Sequence, residues 1–117
     1  MSLNIKRLRR LADVILPRVH YTKFNMGFYH DGTCGCALGW AGLDPVFRRQ
    51  GLKTLPAATR AVVQFNGNPF SQSAAAEFFG LTENEAEDLF LPWSYDVPGR
   101  ISSRHVRDKI YALIKAN

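Results

Sequence analysis

Residues 32–42 (Gly-Thr-Cys-Gly-Cys-Ala-Leu-Gly-Trp-Ala-Gly) are the part of this 117-residue chain that most restricts its fold. They hold four of its nine glycines, both cysteines and one of its two tryptophans. Glycines at this density indicate a backbone that turns sharply or that another part of the chain approaches closely. A short helix is predicted from Cys36 to Leu43. We interpret the segment as a packing device: its glycines let this helix lie close against the aromatic segment 21–29, and Trp40 anchors the core.

Helical periodicity dominates the rest of the chain. Apolar residues recur on one face over 3–16, and Pro17 is predicted to stop this helix. Further helices are predicted over residues 45–50, 73–79 and 103–116, and another begins at a capping box formed by Thr82 and Glu85. β structure is limited to a strand over 61–65 and an irregular extended segment over 19–30, whereas 52–59 and 91–99 are predicted loops. We therefore expect a single α+β domain over residues 1–117, mostly helical with a small β hairpin or sheet.

The composition is that of a globular protein, and we expect a cytoplasmic one. Hydrophobic residues make up 46% of the chain, and no apolar run approaches the roughly 18 residues that a membrane helix needs. The basic N-terminus is not followed by the apolar block of a secretion signal. Because a reducing compartment keeps cysteines as thiols, both cysteines are expected to be free.

The charges are strongly segregated along the chain. Residues 1–60 carry a balance of +7, residues 61–98 a balance of −6 and residues 99–117 a balance of +4, which gives the net +5. Either the basic ends and the acidic middle attract one another within the fold, or the ends form a basic surface for a polyanion. If the two terminal helices pack side by side, their arginines form a nucleic-acid site, because the planar guanidinium group suits phosphate. The candidate residues are Arg7, Arg10, Arg18, Arg48, Arg49, Arg104 and Arg107.

Cys36 is the candidate nucleophile of a thiol-dependent hydrolase. It opens a predicted helix, where the positive end of the helix dipole favours a thiolate. His30 or His105 is its candidate base, and Asp108 follows in the order Cys, His, Asp that occurs among thiol hydrolases. The surroundings of Cys36 lack the local signatures of known cysteine hydrolases. A buried turn of small residues that happens to contain cysteine explains the same sequence without catalysis.

A metal site is a further alternative for the same segment. His30, Cys34 and Cys36 have the spacing H-x3-C-x-C, and His20 is the candidate fourth ligand. Zinc takes such nitrogen and sulfur donors in a tetrahedral arrangement. The single residue between the cysteines is shorter than the usual zinc-finger spacing, so two tetrahedral positions are harder to fill from one turn.

Several short motifs follow one another in an order typical of one family. They are Phe24-Asn25-Met26, Cys34-Gly35-Cys36-Ala37-Leu38-Gly39-Trp40-Ala41, Phe78-Phe79-Gly80-Leu81-Thr82 with Glu85-Ala86, and Leu89-Phe90. In this order they resemble a family of small uncharacterised proteins of bacteria and their phages, over residues 24–90. The resemblance implies a phage or prophage origin and a shared fold, but no reaction and no catalytic residues.

We therefore expect a non-enzymatic binding or accessory protein that needs no cofactor and does not enter a membrane. Its partner is an unidentified protein or a nucleic acid, and the sequence leaves its oligomeric state open. The thiol-dependent hydrolase and the nucleic-acid-binding protein remain the alternative functions.

Overall fold

The first helix runs through three consecutive pieces in the computed structural model, which describes residues 3–27, 35–55 and 62–116. The pieces are α1 (Ile5–Arg10), a π-helical turn (Leu11–Ile15) and α2 (Leu16–Arg18). The side chain of Asn4 caps the start, because its Oδ1 accepts the N–H of Arg7 at 3.1 Å.

Pro17 accounts for the π-helical turn. A proline inside a regular α-helix lacks an N–H donor, and its ring clashes with the carbonyl group four residues earlier. In the wider π turn the N–H of Leu16 donates to the carbonyl of Leu11, five residues back. The helix therefore continues past Pro17 to Arg18, and the prediction that Pro17 stops it is wrong.

The predicted extended segment 19–30 lies within the described residues as far as residue 27. It contains a 3-10 turn (Tyr21–Lys23) and then a single parallel bridge between Phe24 and Gly35. The N–H of Gly35 donates to the carbonyl of Lys23 at 3.0 Å, and the N–H of Asn25 donates to the carbonyl of Gly35 at 2.9 Å. Among residues 19–27 and 35–42, a bridge between Phe24 and Gly35 joins this segment to the glycine-rich stretch.

Two short helices follow, α3 (Ala37–Ala41) and α4 (Pro45–Arg49). Each is capped by the side chain of the residue before it. The Sγ of Cys36 accepts the N–H of Gly39 at 3.4 Å, and Oδ2 of Asp44 accepts the N–H of Phe47 at 3.1 Å. The predicted helix over 45–50 is thus confirmed to within a residue, with proline at its first position as expected.

β1 (Leu52–Leu55) and β2 (Val62–Phe65) form a two-stranded antiparallel sheet. Leu52 lies opposite Phe65 and Leu55 opposite Val62. The prediction of a loop over 52–59 is wrong for residues 52–55, where Leu52 and Thr54 are buried and Lys53 between them is exposed. The predicted strand over 61–65 is confirmed for residues 62–65, and residue 61 lies outside the described residues.

The second half of the chain begins with a helical hairpin, α5 (Ser71–Phe79) and α6 (Glu83–Phe90). Gly80 ends α5 in the left-handed conformation (φ +69°), which glycine adopts without strain. The predicted capping box is confirmed: Thr82 Oγ1 accepts the N–H of Glu85 at 3.1 Å, and Glu85 Oε1 accepts the N–H of Thr82 at 2.9 Å. α5 starts two residues earlier than predicted.

The last helix, α7 (Ser103–Lys115), follows a 3-10 turn (Pro92–Ser94) and confirms the prediction over 103–116 to within a residue. The Oγ of Ser102 caps it by accepting the N–H of His105 at 3.3 Å. α7 packs against α1, the π-helical turn, α2 and α6, so the two ends of the chain lie side by side.

Phenylalanine rings form the centre of the hydrophobic core. Phe47, Phe78, Phe79 and Phe90 are almost fully buried. The ring centroids of Phe47 and Phe78 lie 4.9 Å apart in an edge-to-face arrangement, which aromatic pairs favour. The fold around this core is α+β, mostly helical with one two-stranded sheet, which confirms the predicted fold class. Over the described ranges, every helix is too short or too polar to cross a membrane.

Gly42 shows what the end of α3 packs against. Its backbone is right-handed (φ −72°), so the conformation alone would accept any residue. A Cβ at this position would lie 2.1 Å from Oγ1 and 2.6 Å from the backbone nitrogen of Thr54, so the end of α3 is pressed onto β1. At Gly42 the close neighbour is therefore β1, not the predicted segment 21–29. Trp40, expected to anchor the core, is half-buried at its edge and donates its indole N–H to the carbonyl of Lys23 at 3.2 Å.

The substitution Gly42→Ala is expected to destabilise the protein by about 1–3 kcal/mol or more, because the added methyl group overlaps the Thr54 backbone and forces β1 away from α3. Urea unfolding followed by circular dichroism measures the change in the free energy of unfolding. Gly27→Ala is the matched control, since Gly27 is exposed and nearest to the flexible side chain of Asn25. A Gly42 variant as stable as the Gly27 variant would contradict the packing argument.

Candidate nucleic-acid interface

A hydrogen bond joins the first and last helices on the protein surface. The hydroxyl of Tyr111 on α7 donates to Oδ1 of Asp13 in the π-helical turn. This bond raises the pKa of Tyr111, and the positive charges of Arg107 and Arg9 act in the opposite direction. The charges of Arg107 on α7 and Arg9 on α1 therefore both act on Tyr111.

Cations outside the ion pairs of the described residues lie in two rows, one on each terminal helix. Lys6 and Arg9 are exposed on α1, three residues apart and so on one helix face. On α7 a second row consists of Arg104, Arg107 and Lys115, of which Arg107 is half-buried and the other two are exposed. We call the set Lys6, Arg9, Arg104, Arg107 and Lys115 the basic face. Two carboxylates, Asp13 and Asp108, lie on the same helices.

Two grooves adjoin the basic face. The larger, of about 600 Å³, lies between α1 and α4, and Lys6 and Arg9 form part of its wall together with apolar groups such as Val46. The smaller, of about 260 Å³, lies between α2 and the start of α7, where it is lined by Arg104 and Arg107. The Nε of Arg107 is buried and has no hydrogen-bond partner within the described ranges.

Three of the arginines predicted to bind nucleic acid form hydrogen bonds to other groups of the protein. Arg7 donates to the carbonyl of Phe78 at 2.8 Å, and its guanidinium carbon lies 3.9 Å from the centre of the Phe78 ring. Arg48 donates to the carbonyl of Gly42 at 3.1 Å. Arg10 makes two hydrogen bonds to the carboxylate of Asp44, at 2.8 Å and 3.0 Å. These contacts give the three side chains structural roles.

The other predicted arginines remain at the surface. Arg18 and Arg49 are exposed at the ends of α2 and α4, and Arg104 and Arg107 belong to the basic face. Sequence reasoning missed Lys6, Arg9, Tyr111 and Lys115 as site residues. The signal for them was present, since Lys6 and Arg9 on one helix and Arg107, Tyr111 and Lys115 on the other recur at three- and four-residue spacing.

Cys36 is a free thiol buried in the core, with 2% of its surface exposed. Burial raises its pKa to about 11, although backbone N–H groups at the start of α3, Gly39 first among them, act in the opposite direction. A thiol with this pKa is protonated at neutral pH, which favours a packing role over a nucleophilic one.

Two of the histidines proposed as base or ligand, His20 and His105, form hydrogen bonds with neighbouring residues. Nδ1 of His105 accepts the N–H of Ser102 at 2.9 Å, which completes a capping box, and Asp108 is exposed one turn further along α7. Nδ1 of His20 lies 2.7 Å from the hydroxyl of Thr22. His30 and Cys34 lie outside the described residues. Within the described residues, no three His, Cys, Asp or Glu side chains come together as a metal site.

Comparison of this chain with protein-family models, with curated proteins and with solved structures finds no match. The resemblance to small bacterial and phage proteins therefore stays a prediction. The function has to be argued from the surface chemistry of the chain itself.

Asp44→Asn is expected to lower the free energy of unfolding by about 1–3 kcal/mol at neutral pH, because it removes a charged partner of Arg10 while an amide oxygen can still cap α4. Burial disfavours the Asp44 carboxylate, but the hydrogen bonds from Arg10 and from the Phe47 N–H outweigh it, so the pKa of Asp44 lies below its ordinary value. The ionised Asp44 contributes fully to the free energy of unfolding above the pKa of about 3.9 that an aspartate has in the unfolded chain. This stabilisation disappears as the pH falls through the lower pKa of Asp44 in the folded protein.

Urea unfolding at neutral pH and at about pH 3 measures this effect, and the difference between wild type and Asp44→Asn should shrink in acid. Asp96→Asn is the control, since Asp96 is an exposed carboxylate in the loop before α7. A difference that stays the same at both pH values would refute a role for the ionised pair.

Cys36 is expected to resist alkylation by iodoacetamide in the native protein at about pH 8, reacting about a hundredfold more slowly than in urea, because burial keeps it protonated and covered. Tandem mass spectrometry, which fragments the peptide between Cys34 and Cys36, measures the modification of Cys36 separately from that of Cys34. Equal rates with and without urea would show an accessible thiolate and would revive the hydrolase hypothesis.

Proposed function

We propose that this chain is a non-enzymatic binding protein whose basic face binds the phosphate backbone of a nucleic acid. The observation that carries the proposal is the side-by-side packing of the two basic ends of the chain, which brings the cations of α1 and α7 onto one surface. Phosphate neutralisation by such cations supplies most of the affinity of sequence-independent binding.

The acidic middle of the chain leaves most of this positive charge unneutralised. Among the described residues, ion pairs form at two places, between Arg10 and Asp44 and between Lys109 and Asp88. Only the second joins a basic end to the acidic middle, and neither uses a cation of the basic face. The explanation that the ends and the middle neutralise one another therefore accounts for little of the charge pattern.

The arrangement favours backbone contacts over the reading of base edges in a duplex. A recognition helix that enters the major groove has to approach phosphates on both sides. In the α5–α6 hairpin the second helix carries exposed Glu83, Glu87 and Asp88, which phosphates repel. Catalysis by Cys36 has less support, because this thiol is buried and its pKa is about 11.

A charge reversal within the basic face tests the proposal. Arg9→Glu is expected to weaken binding to a fluorescein-labelled oligonucleotide about tenfold at low salt, and to reduce the slope of log K against log salt by about 1, because a phosphate contact is lost. Fluorescence anisotropy over a range of salt concentrations measures both quantities.

Lys53→Glu is the matched control, since it makes the same change of charge at an exposed residue of β1 outside the terminal helices. It should weaken binding much less than Arg9→Glu. Equal effects of the two reversals would show that net charge alone attracts the oligonucleotide. Absence of any binding by the wild type at low salt would end the proposal.

A further inference from the structure

We propose that the nucleic acid is single-stranded and that one of its bases stacks on the ring of Tyr111. This inference rests on the proposed function and adds to it the strand state of the ligand and a contact to a base. It is carried by three features of Tyr111: its exposure, the hydrogen bond that holds its ring, and the cations placed around it.

Tyr111 is partly exposed to solvent on α7. The residue is 39% exposed although it is large and aromatic. Within the described ranges, ring-to-ring contacts link other aromatic residues, such as Phe47 with Phe78, and none involves Tyr111. A base can therefore stack on the exposed part of this ring without displacing another aromatic ring.

The ring is also held in place before a ligand arrives. Its hydroxyl donates to Asp13 on the neighbouring helix, so the phenol is tied at its far end as well as at its Cα. A side chain fixed in this way loses less conformational entropy on binding than a freely rotating one. Asp13 thus acts as a positioning residue for Tyr111, which explains a carboxylate among cations.

Cations of both terminal helices lie in the neighbourhood of Tyr111. Arg107 and Lys115 lie four residues before and after Tyr111 on α7, which places their Cβ atoms within about 6 Å of that of Tyr111 on the same helix face. On α1, the charge of Arg9 is close enough to act on the pKa of Tyr111. A nucleotide whose base covers the ring therefore has basic groups available for the phosphates on either side of it.

This combination suits a single strand better than a duplex. In a duplex both faces of each base are covered by neighbouring bases. A base can therefore stack on an exposed ring only after it leaves the duplex stack, which costs free energy. Every base of a single strand has a free face, and such strands are held by basic grooves that carry aromatic side chains. The exposed Trp93 is less suited to this role, because Lys109, the cation that contacts its 3-10 turn, is already engaged by the carboxylate of Asp88 and the carbonyl of Ser94.

Anisotropy titrations with a single-stranded oligonucleotide of about 12 nucleotides and with the duplex of the same sequence test the inference. We expect the single strand to bind about tenfold more tightly. Tyr111→Ala should weaken binding of the single strand about tenfold and leave duplex binding unchanged. Tyr111→Phe keeps the ring but loses the bond to Asp13, so it should weaken binding of the single strand by less than Tyr111→Ala does. Trp93→Ala is the control for loss of an exposed aromatic residue and should have no effect.

Cross-linking provides a second readout that does not depend on affinity. A single strand that contains iodouracil, irradiated in the complex, should attach to Tyr111, as mapped by mass spectrometry. Attachment elsewhere, equal affinity for single strand and duplex, or full affinity of Tyr111→Ala would each overturn the inference. If the wild type binds both forms equally and Arg9→Glu still weakens binding, the proposed function stands without the single-strand preference. If neither form binds, both proposals fail.

Discussion

The ion pair between Arg10 and Asp44 affects both the packing of α4 against the first helix and the charge that remains on the surface. Asp44 caps α4 through the N–H of Phe47 and at the same time accepts two hydrogen bonds from Arg10 on the first helix. The pair therefore fixes the angle at which α4 meets the first helix and places Phe47 in the centre of the core. It also removes one arginine from the surface, so that the charge left for a ligand is carried by other residues.

The other basic residues also fall into two groups, those that bond within the fold and those that face solvent. Arg7 and Arg48 donate to main-chain carbonyl groups inside the fold, and Arg7 stacks on a buried ring. Lys6 and Arg9, one and two residues from Arg7 on the same helix, face solvent. An amphipathic helix with this many cations can satisfy only those on the side that meets another element, and the others remain available to phosphates.

Local chemistry explains which elements could be predicted. The capping box at Thr82 and the proline at the first position of α4 depend on residues a few positions apart, so their signals are complete within a short window. β1 was missed because a strand of four residues has too short an alternation to stand out, and its partner β2 lies beyond the residues 56–61. The π-helical turn was missed because Pro17 ends most helices, whereas packing of α2 against α7 holds this one together.

The sequence alone determined the mostly helical α+β fold, the caps and the separation of charge along the chain, because each depends on residue order and short spacing. Tertiary structure decided which cations are free, that Cys36 is buried with a high pKa, and that α3 rests on β1 through Gly42. It also decided that Asp13 and Tyr111, 98 residues apart, meet across two helices. Such properties depend on contacts between distant segments, and a buried atom or an uncovered ring cannot be recognised until those segments are packed together.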